Sequence, residues 1–238
     1  MGYWAVEFEV EGWLANFREA TAVTTQTTHT IPPKSALLGF LFAKIGIGRS
    51  YIRDSWPDMY KEYIKKINVA VAFNNKKKVS FFDYVLYANA GGEGKLKPTF
   101  VEYLVWPKYT FIYLLPEEDE YLGKQNKEAI LNNELFKVSL GSNEAPAQII
   151  RAREIKINEK EAEKINTKFI VNNEFVNSLD TTSPTNSVSF INEYLPLSLP
   201  NEDFNVPKFI VPIGNKISLN LKSAKKIYAY DENEFMVI

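Results

Sequence analysis

The sequence predicts an α+β fold, and three observations carry that prediction. Segments of period-two and period-three-to-four hydrophobicity alternate in the order β-α-β-β-α over the first 136 residues. A glycine-rich turn, Gly91-Gly92-Glu93-Gly94, separates two extended runs and marks a projecting hairpin. The last third carries short β-like runs punctuated by prolines, which suits a small β-rich part better than helices.

The first strand is read at Tyr3 to Glu11, where Val6, Phe8 and Val10 alternate with Glu7, Glu9 and Glu11. A long polar connection, Asn16 to Thr30, follows; a loop of that length in a compact domain is commonly functional. Ile31-Pro32-Pro33-Lys34-Ser35 then leads into a helix bearing Leu37, Leu38, Phe40, Leu41 and Ile45, apolar nearly all round and so expected to be buried. A second helix is expected over Asp58 to Ile67, with Tyr60, Tyr63, Ile64 and Ile67 inside.

Asn68 to Phe73 and Val79 to Ala88 read as strands of a hairpin with a basic tip at Lys76-Lys77-Lys78. The glycine hairpin runs from Phe81 to Trp106 and bears Lys95 and Lys97. Tyr109 to Leu115 is a further strand and Lys124 to Phe136 a helix with Ala129, Ile130, Leu135 and Phe136 inward. A last strand over Ile149 to Ile157 would complete a ferredoxin-like (RRM-like) core of residues 1–157. Residues 158–238 then form the small β-rich part, with strands at 168–171, 188–191, 209–213 and 217–221 and an exposed polar loop at 177–187.

Composition removes several chemistries. The 238 residues are 45% hydrophobic and contain no cysteine, which rules out disulfides, thiolate zinc sites and a cysteine nucleophile. The single histidine, His29, excludes two-histidine metal motifs, and no metal or cofactor is expected. The adjacent acids Glu117, Glu118, Asp119 and Glu120 read as a solvated connection rather than a nuclease metal site. Net charge is −1, so no global basic field advertises nucleic acid. Residues 1–110 nevertheless hold 14 basic against 10 acidic side chains, clustered on loops and turns where phosphate contacts usually arise. The acidic N-terminal strand is unlike an export signal, and the apolar window 36–48 is shorter than the roughly 20 residues that span a bilayer. A soluble cytoplasmic protein with no membrane partner is expected.

The run Gly12-Trp13-Leu14-Ala15-Asn16-Phe17-Arg18 is followed by Thr28-His29-Thr30-Ile31-Pro32-Pro33-Lys34-Ser35-Ala36-Leu37-Leu38-Gly39 and by Gly46-Ile47-Gly48. Glu102-Tyr103-Leu104 and Ser139-Leu140-Gly141-Ser142-Asn143-Glu144 come later. Together these resemble the CRISPR-associated Cas five family, the RAMP-type subunit of type I Cascade complexes. The resemblance spans about residues 4–150, and its most specific piece is the proline-proline-basic segment opening the apolar helix.

The resemblance implies a RAMP domain with an inserted β-hairpin thumb at residues 81–106. It also implies a subunit that holds the repeat-derived 5′ handle of the crRNA, packs against the backbone Cas seven subunit and the large subunit, and lies near target DNA at its thumb. Antiviral defence would be its setting.

Arg18 and the hydroxyls of Thr27 and Thr28 suit phosphate and sugar contacts, although a solvated loop would look the same. Lys34 at the helix start would join exposed N–H groups in an anion site, against the plainer reading of a first-turn lysine. On the hairpin, Lys95 and Lys97 suit phosphates and Tyr87 could stack on a base, although edge strands carry lysine for solubility alone. Gly141 and Ser142 would bring backbone N–H groups to the RNA, or form a plain turn. His29 divides two classes of function: a loop residue beside RNA in a non-catalytic subunit, or the general base of a metal-independent endoribonuclease acting on repeat RNA.

Overall fold

The computed structural model describes residues 2–19, 26–47, 58–74, 78–88, 94–133, 138–141, 145–180, 189–198 and 206–238, with backbone alone at 78–88 and 94–97. In chain order it comprises β1 (Tyr3–Gly12), β2 (Leu14–Ala15), α1 (Lys34–Lys44), α2 (Asp58–Lys66), β3 (Asn68–Phe73), β4 (Lys78–Ala88), β5 (Gly94–Val105) and β6 (Lys108–Pro116). A π-helical turn (Glu120–Gln125) runs into α3 (Asn126–Asn132), followed by β7 (Val138–Ser139) and β8 (Pro146–Ile155). The C-terminal third adds β9 (Asn158–Thr167), β10 (Val171–Asn172), β11 (Val176–Leu179), β12 (Phe190–Tyr194), β13 (Lys208–Pro212), β14 (Ile217–Tyr230) and β15 (Asn233–Phe235).

The main sheet has the order β3-β6-β1-β8-β7, antiparallel throughout. Strand β1 sits centrally because its alternation serves both sides. Val6, Phe8 and Val10 point into a fully buried core with Leu37, Leu38, Leu41, Phe111 and Tyr113, while Glu7 and Glu9 pair with Arg153 and Lys108 on the other face. Phe8 anchors the helix side, with ring centroids 5.5 Å from Phe111 and from Tyr113 and 5.8 Å from Phe40.

Strands β3 and β6 are apolar on both faces because both are covered. Their second face holds Ala70, Ala72, Ile112 and Leu114, which pack under Phe169, Tyr228, Tyr230 and Phe235 from the C-terminal third. That third is stitched on by the Ile170 N–H to Val71 carbonyl bond and the Ile238 N–H to Val69 carbonyl bond, 2.9 and 3.0 Å.

Several expected elements differ. Strands β3 and β4 do not pair with each other: β3 lies beside β6, whereas β4 pairs with β5, from Lys78 opposite Leu104 to Ala88 opposite Gly94. The expected helix at 124–136 starts earlier, at Glu120, because the Asp119 carboxylate caps the Tyr121 and Leu122 N–H groups at 3.0 and 2.8 Å. It ends at Asn133, which takes a left-handed conformation (φ 51°); Leu135 and Phe136 lie outside the described residues. The polar stretch expected as loop from 177 begins as β11, paired with β14. The ten-residue β9, which its charges concealed, also pairs with β14. No helix among the described residues is long and apolar enough to cross a membrane.

Candidate nucleic-acid interface

Four segments converge at the root of the β4–β5 hairpin. Asn16 donates its backbone N–H to the Leu140 carbonyl (3.0 Å) and its side-chain amide to the Glu102 carbonyl (2.8 Å). Gln26 exchanges backbone bonds with β5, its N–H to the Phe100 carbonyl and its carbonyl from the Glu102 N–H. The chain on either side of residues 20–25 is thereby closed on itself: Arg18 bridges Thr28, the Glu19 N–H donates to the Thr27 carbonyl, and the His29 N–H donates to the Phe17 carbonyl. Strand β2 fastens the hairpin through the pairs Leu14 with Val105 and Ala15 with Leu104.

Gly141 makes this convergence possible. Its φ is +92°, and a Cβ there would lie 1.8 Å from the Asn16 carbonyl oxygen, so only glycine lets the 138–141 turn approach the segment after β2.

The expected site residues separate into three groups. Arg18 is exposed and Thr27 half-buried, its hydroxyl donating to Glu19 (2.9 Å), so both stand at the surface of the converged loops with Gly141 beside them. Thr28 and His29 are drawn inside. The Thr28 hydroxyl accepts the Phe17 N–H at 2.8 Å and donates to the His29 carbonyl at 3.0 Å, and its N–H donates to Glu102, so it holds the loop rather than a phosphate. His29, 7% exposed, places Nδ1 3.5 Å from the Glu193 carboxylate of β12. Glu193 also accepts the Thr30 N–H (2.5 Å), and the Tyr109 hydroxyl donates to the Thr30 carbonyl (2.7 Å). His29 thus sits inside this knot rather than on the open surface of the loop.

Lys34 opens α1 as expected, yet the anion site imagined around it does not form. The Lys34 N–H donates to the Pro196 carbonyl, and those of Ala36 and Leu37 to the Pro33 carbonyl, which leaves little of the helix end for an anion. Burial pulls the Lys34 ammonium down to about 8. Tyr87 and Lys95 face each other in the hairpin register, and Lys97 opposes Val85. The side chains of these three, and Ser142 entirely, lie outside the described residues.

Sequence reasoning missed two features at this end of the molecule. One is the tethering set Asn16, Glu102 and Glu193, whose partners are remote in sequence. The other is a pair of exposed tryptophans, Trp13 and Trp106, with ring centroids 5.2 Å apart. They lie beside a cavity of about 520 Å³.

Comparison with known proteins bears on this arrangement. The family model described as CRISPR-associated protein (Cas_Cas5) matches residues 5–188. No curated protein sequence matches the chain. The fold is similar to a crystal structure of a CRISPR protein from Archaeoglobus fulgidus, at 13% identity and TM-score 0.57 over 98% of both chains. It is also similar to a chain of a CRISPR RNA-guided surveillance complex, at 16% identity and TM-score 0.53, with 90% of this chain and 91% of that one covered. With a family model spanning most of its length, the chain belongs to the CRISPR-associated Cas5 family.

Proposed function

We propose that this chain is a non-catalytic crRNA-binding subunit of a type I CRISPR effector complex of the Cascade kind, in which it holds the repeat-derived 5′ handle. The carrying observation is the convergence of the segment after β2, the threonine loop, the hairpin root and the Gly141 turn, which gathers exposed Arg18 and half-buried Thr27 on one base. In this reading residues 1–157 form a ferredoxin-like RAMP domain whose hairpin is the thumb, placed near target DNA, and residues 158–238 are accessory. A neighbour of similar fold comes from an RNA-guided surveillance complex, which supports assembly with a backbone subunit and a large subunit. Antiviral defence in the cytoplasm follows from the same reading.

The endoribonuclease alternative would rest on His29, and its burial beside Glu193 disfavours it. End-labelled repeat RNA incubated with the purified protein in EDTA, and resolved on native and denaturing gels beside Arg18→Ala and His29→Ala, tests both. Intact RNA with handle-dependent retention that Arg18→Ala weakens is the expected result. A specific cut lost in His29→Ala would replace this reading with the processing enzyme.

A further inference from the structure

We propose that the cleft beneath Trp13 and Trp106 is a nucleobase pocket that takes one unstacked base bearing an exocyclic amine. The inference rests on the RNA-binding reading and names a contact within it.

The two tryptophans are 72% and 57% exposed, a large adjoining apolar surface of the kind that marks a binding site. Their arrangement is built rather than incidental. Trp106 has a left-handed backbone (φ 52°), which a bulky residue rarely adopts, and its N–H donates to the Trp13 carbonyl at 2.8 Å. Gly12, whose N–H donates to the Pro107 carbonyl at 3.2 Å, is tightly enclosed, since a Cβ would lie 3.0 Å from the Pro146 carbonyl oxygen.

The sheet supplies the floor. In the register of β1 with β6 and β8, Glu11 lies opposite Lys108 on one side and Gln148 on the other. Asn74 joins them, its N–H donating to the Lys108 carbonyl at 3.0 Å. Farther along, this face is roofed by Phe169, Tyr228 and Phe235, so the cavity is its uncovered end.

Indole faces stack on bases of any sequence, while the Glu11 carboxylate and the Asn74 and Gln148 amides can read a base edge. The Gln148 amide already donates to Glu11 (2.8 Å), which orients that carboxylate to accept a further donor, and an exocyclic amine provides one. A phosphate fits poorly, because the Lys108 ammonium is committed to Glu9 at 3.0 Å and Glu11 stands beside it. An arginine from a protein partner would satisfy the indoles and Glu11. It offers donors only, however, whereas a base also offers acceptors to the one N–H of each amide not already given to Glu11 by Gln148 (2.8 Å) or to the Thr110 hydroxyl by Asn74 (3.3 Å).

The indole N–H signals of the full-length, isotope-labelled protein report on the pocket directly. Trp4, under Lys127 at 4.6 Å, serves as an internal reference, and Trp13→Phe and Trp106→Phe assign the two peaks. Cytidine, adenosine and guanosine should each move the Trp13 and Trp106 peaks saturably and leave Trp4 still. Uridine, which lacks the amine, should bind roughly tenfold more weakly, and Glu11→Gln should narrow that gap while stacking persists. Unmoved peaks with every nucleoside, in a protein that still retains repeat RNA on a native gel, would overturn the pocket and leave the RNA reading intact. Movement by N-acetylarginine amide but by no nucleoside would overturn it in favour of a protein partner. Nucleoside-dependent shifts in a protein that retains no repeat RNA would uphold the pocket and defeat the RNA reading.

Discussion

Replacing Gly141 by alanine tests the convergence that the candidate interface depends on. The new methyl group would sit 1.8 Å from the Asn16 carbonyl oxygen, a backbone atom that cannot rotate aside, and the residue would keep a φ of +92°. The left-handed conformation costs an L-residue roughly 1–2 kcal/mol. Forcing the turn and the segment after β2 apart adds about 1–3 kcal/mol, as in other overpacked sites. If the turn peels away instead, the Asn16 to Leu140 and Leu140 to Ala145 backbone bonds are lost, at about 1 kcal/mol each. The first route costs about 2–5 kcal/mol and the second about 2, read as a lower urea midpoint with an unchanged slope, or a melting temperature roughly 4–20 °C lower for a chain of this size. Gly39 is the control, because a Cβ there meets nothing within 4 Å inside α1, and alanine should stabilise by about 0.5–1 kcal/mol. A Gly141→Ala protein within about 0.5 kcal/mol of the parent would refute the close approach.

Glu193→Leu should cost about 1–3 kcal/mol in the same assay, since it leaves the buried Thr30 N–H without its acceptor. Asp119→Ala removes the cap of the π-helical turn and should cost about 0.5–2 kcal/mol, measured by urea denaturation followed by circular dichroism. Lys34 carries a pH signature. Because its folded-state value falls from 10.5 to about 8, the unfolded chain binds more protons between those limits, so this group makes stability rise from about pH 8 to about pH 10.5. Lys34→Met should lack that rise relative to the parent; parallel stability curves for the two would contradict the burial of the ammonium.

The parts of the fold that local patterning could reveal are those whose burial alternates within one segment. In β1 the period-two alternation of valine and phenylalanine with glutamate reports the buried and open faces directly, and α1 declares itself by apolar residues behind Pro33. Strand β9 has no such signature, because among Asn158–Thr167 only Ile165 and Thr167 are buried and its place is set by distant β14. The wrong partner for β3 has the same origin: neighbouring strands in sequence invite a hairpin, and only the shared core shows that β6 holds the place instead. At the site, the glycine turn and the threonine loop were visible as composition. Whether a loop threonine faces solvent or the Phe17 amide is decided by Glu102, far along the chain, so Thr28 and His29 could not be told from Thr27.

Coverage of the main sheet limits where the proposed RNA contact could fall. In RRM-like folds single strands are read by aromatic side chains on the open sheet face. Here one face is buried under α1, α2 and α3, and most of the other lies under Phe169, Tyr228, Tyr230 and Phe235. On the proposed RNA-binding reading, recognition falls at the end of the sheet where β1 leads into β2, β5 into β6 and β7 into β8. That end carries Arg18 and Thr27 on the converged loops, and Trp13 and Trp106 over the uncovered strip at Glu11 and Lys108. Net charge is −1, and among the described residues Lys108 and Arg153 are committed to Glu9 and Glu7. If stacking and edge contacts at the proposed pocket carry more of the affinity than counterion release, retention of the handle should fall only shallowly with salt. A steep salt dependence, equal for handle and for arbitrary single strands, would instead place the affinity on non-specific phosphate contacts by lysine and arginine.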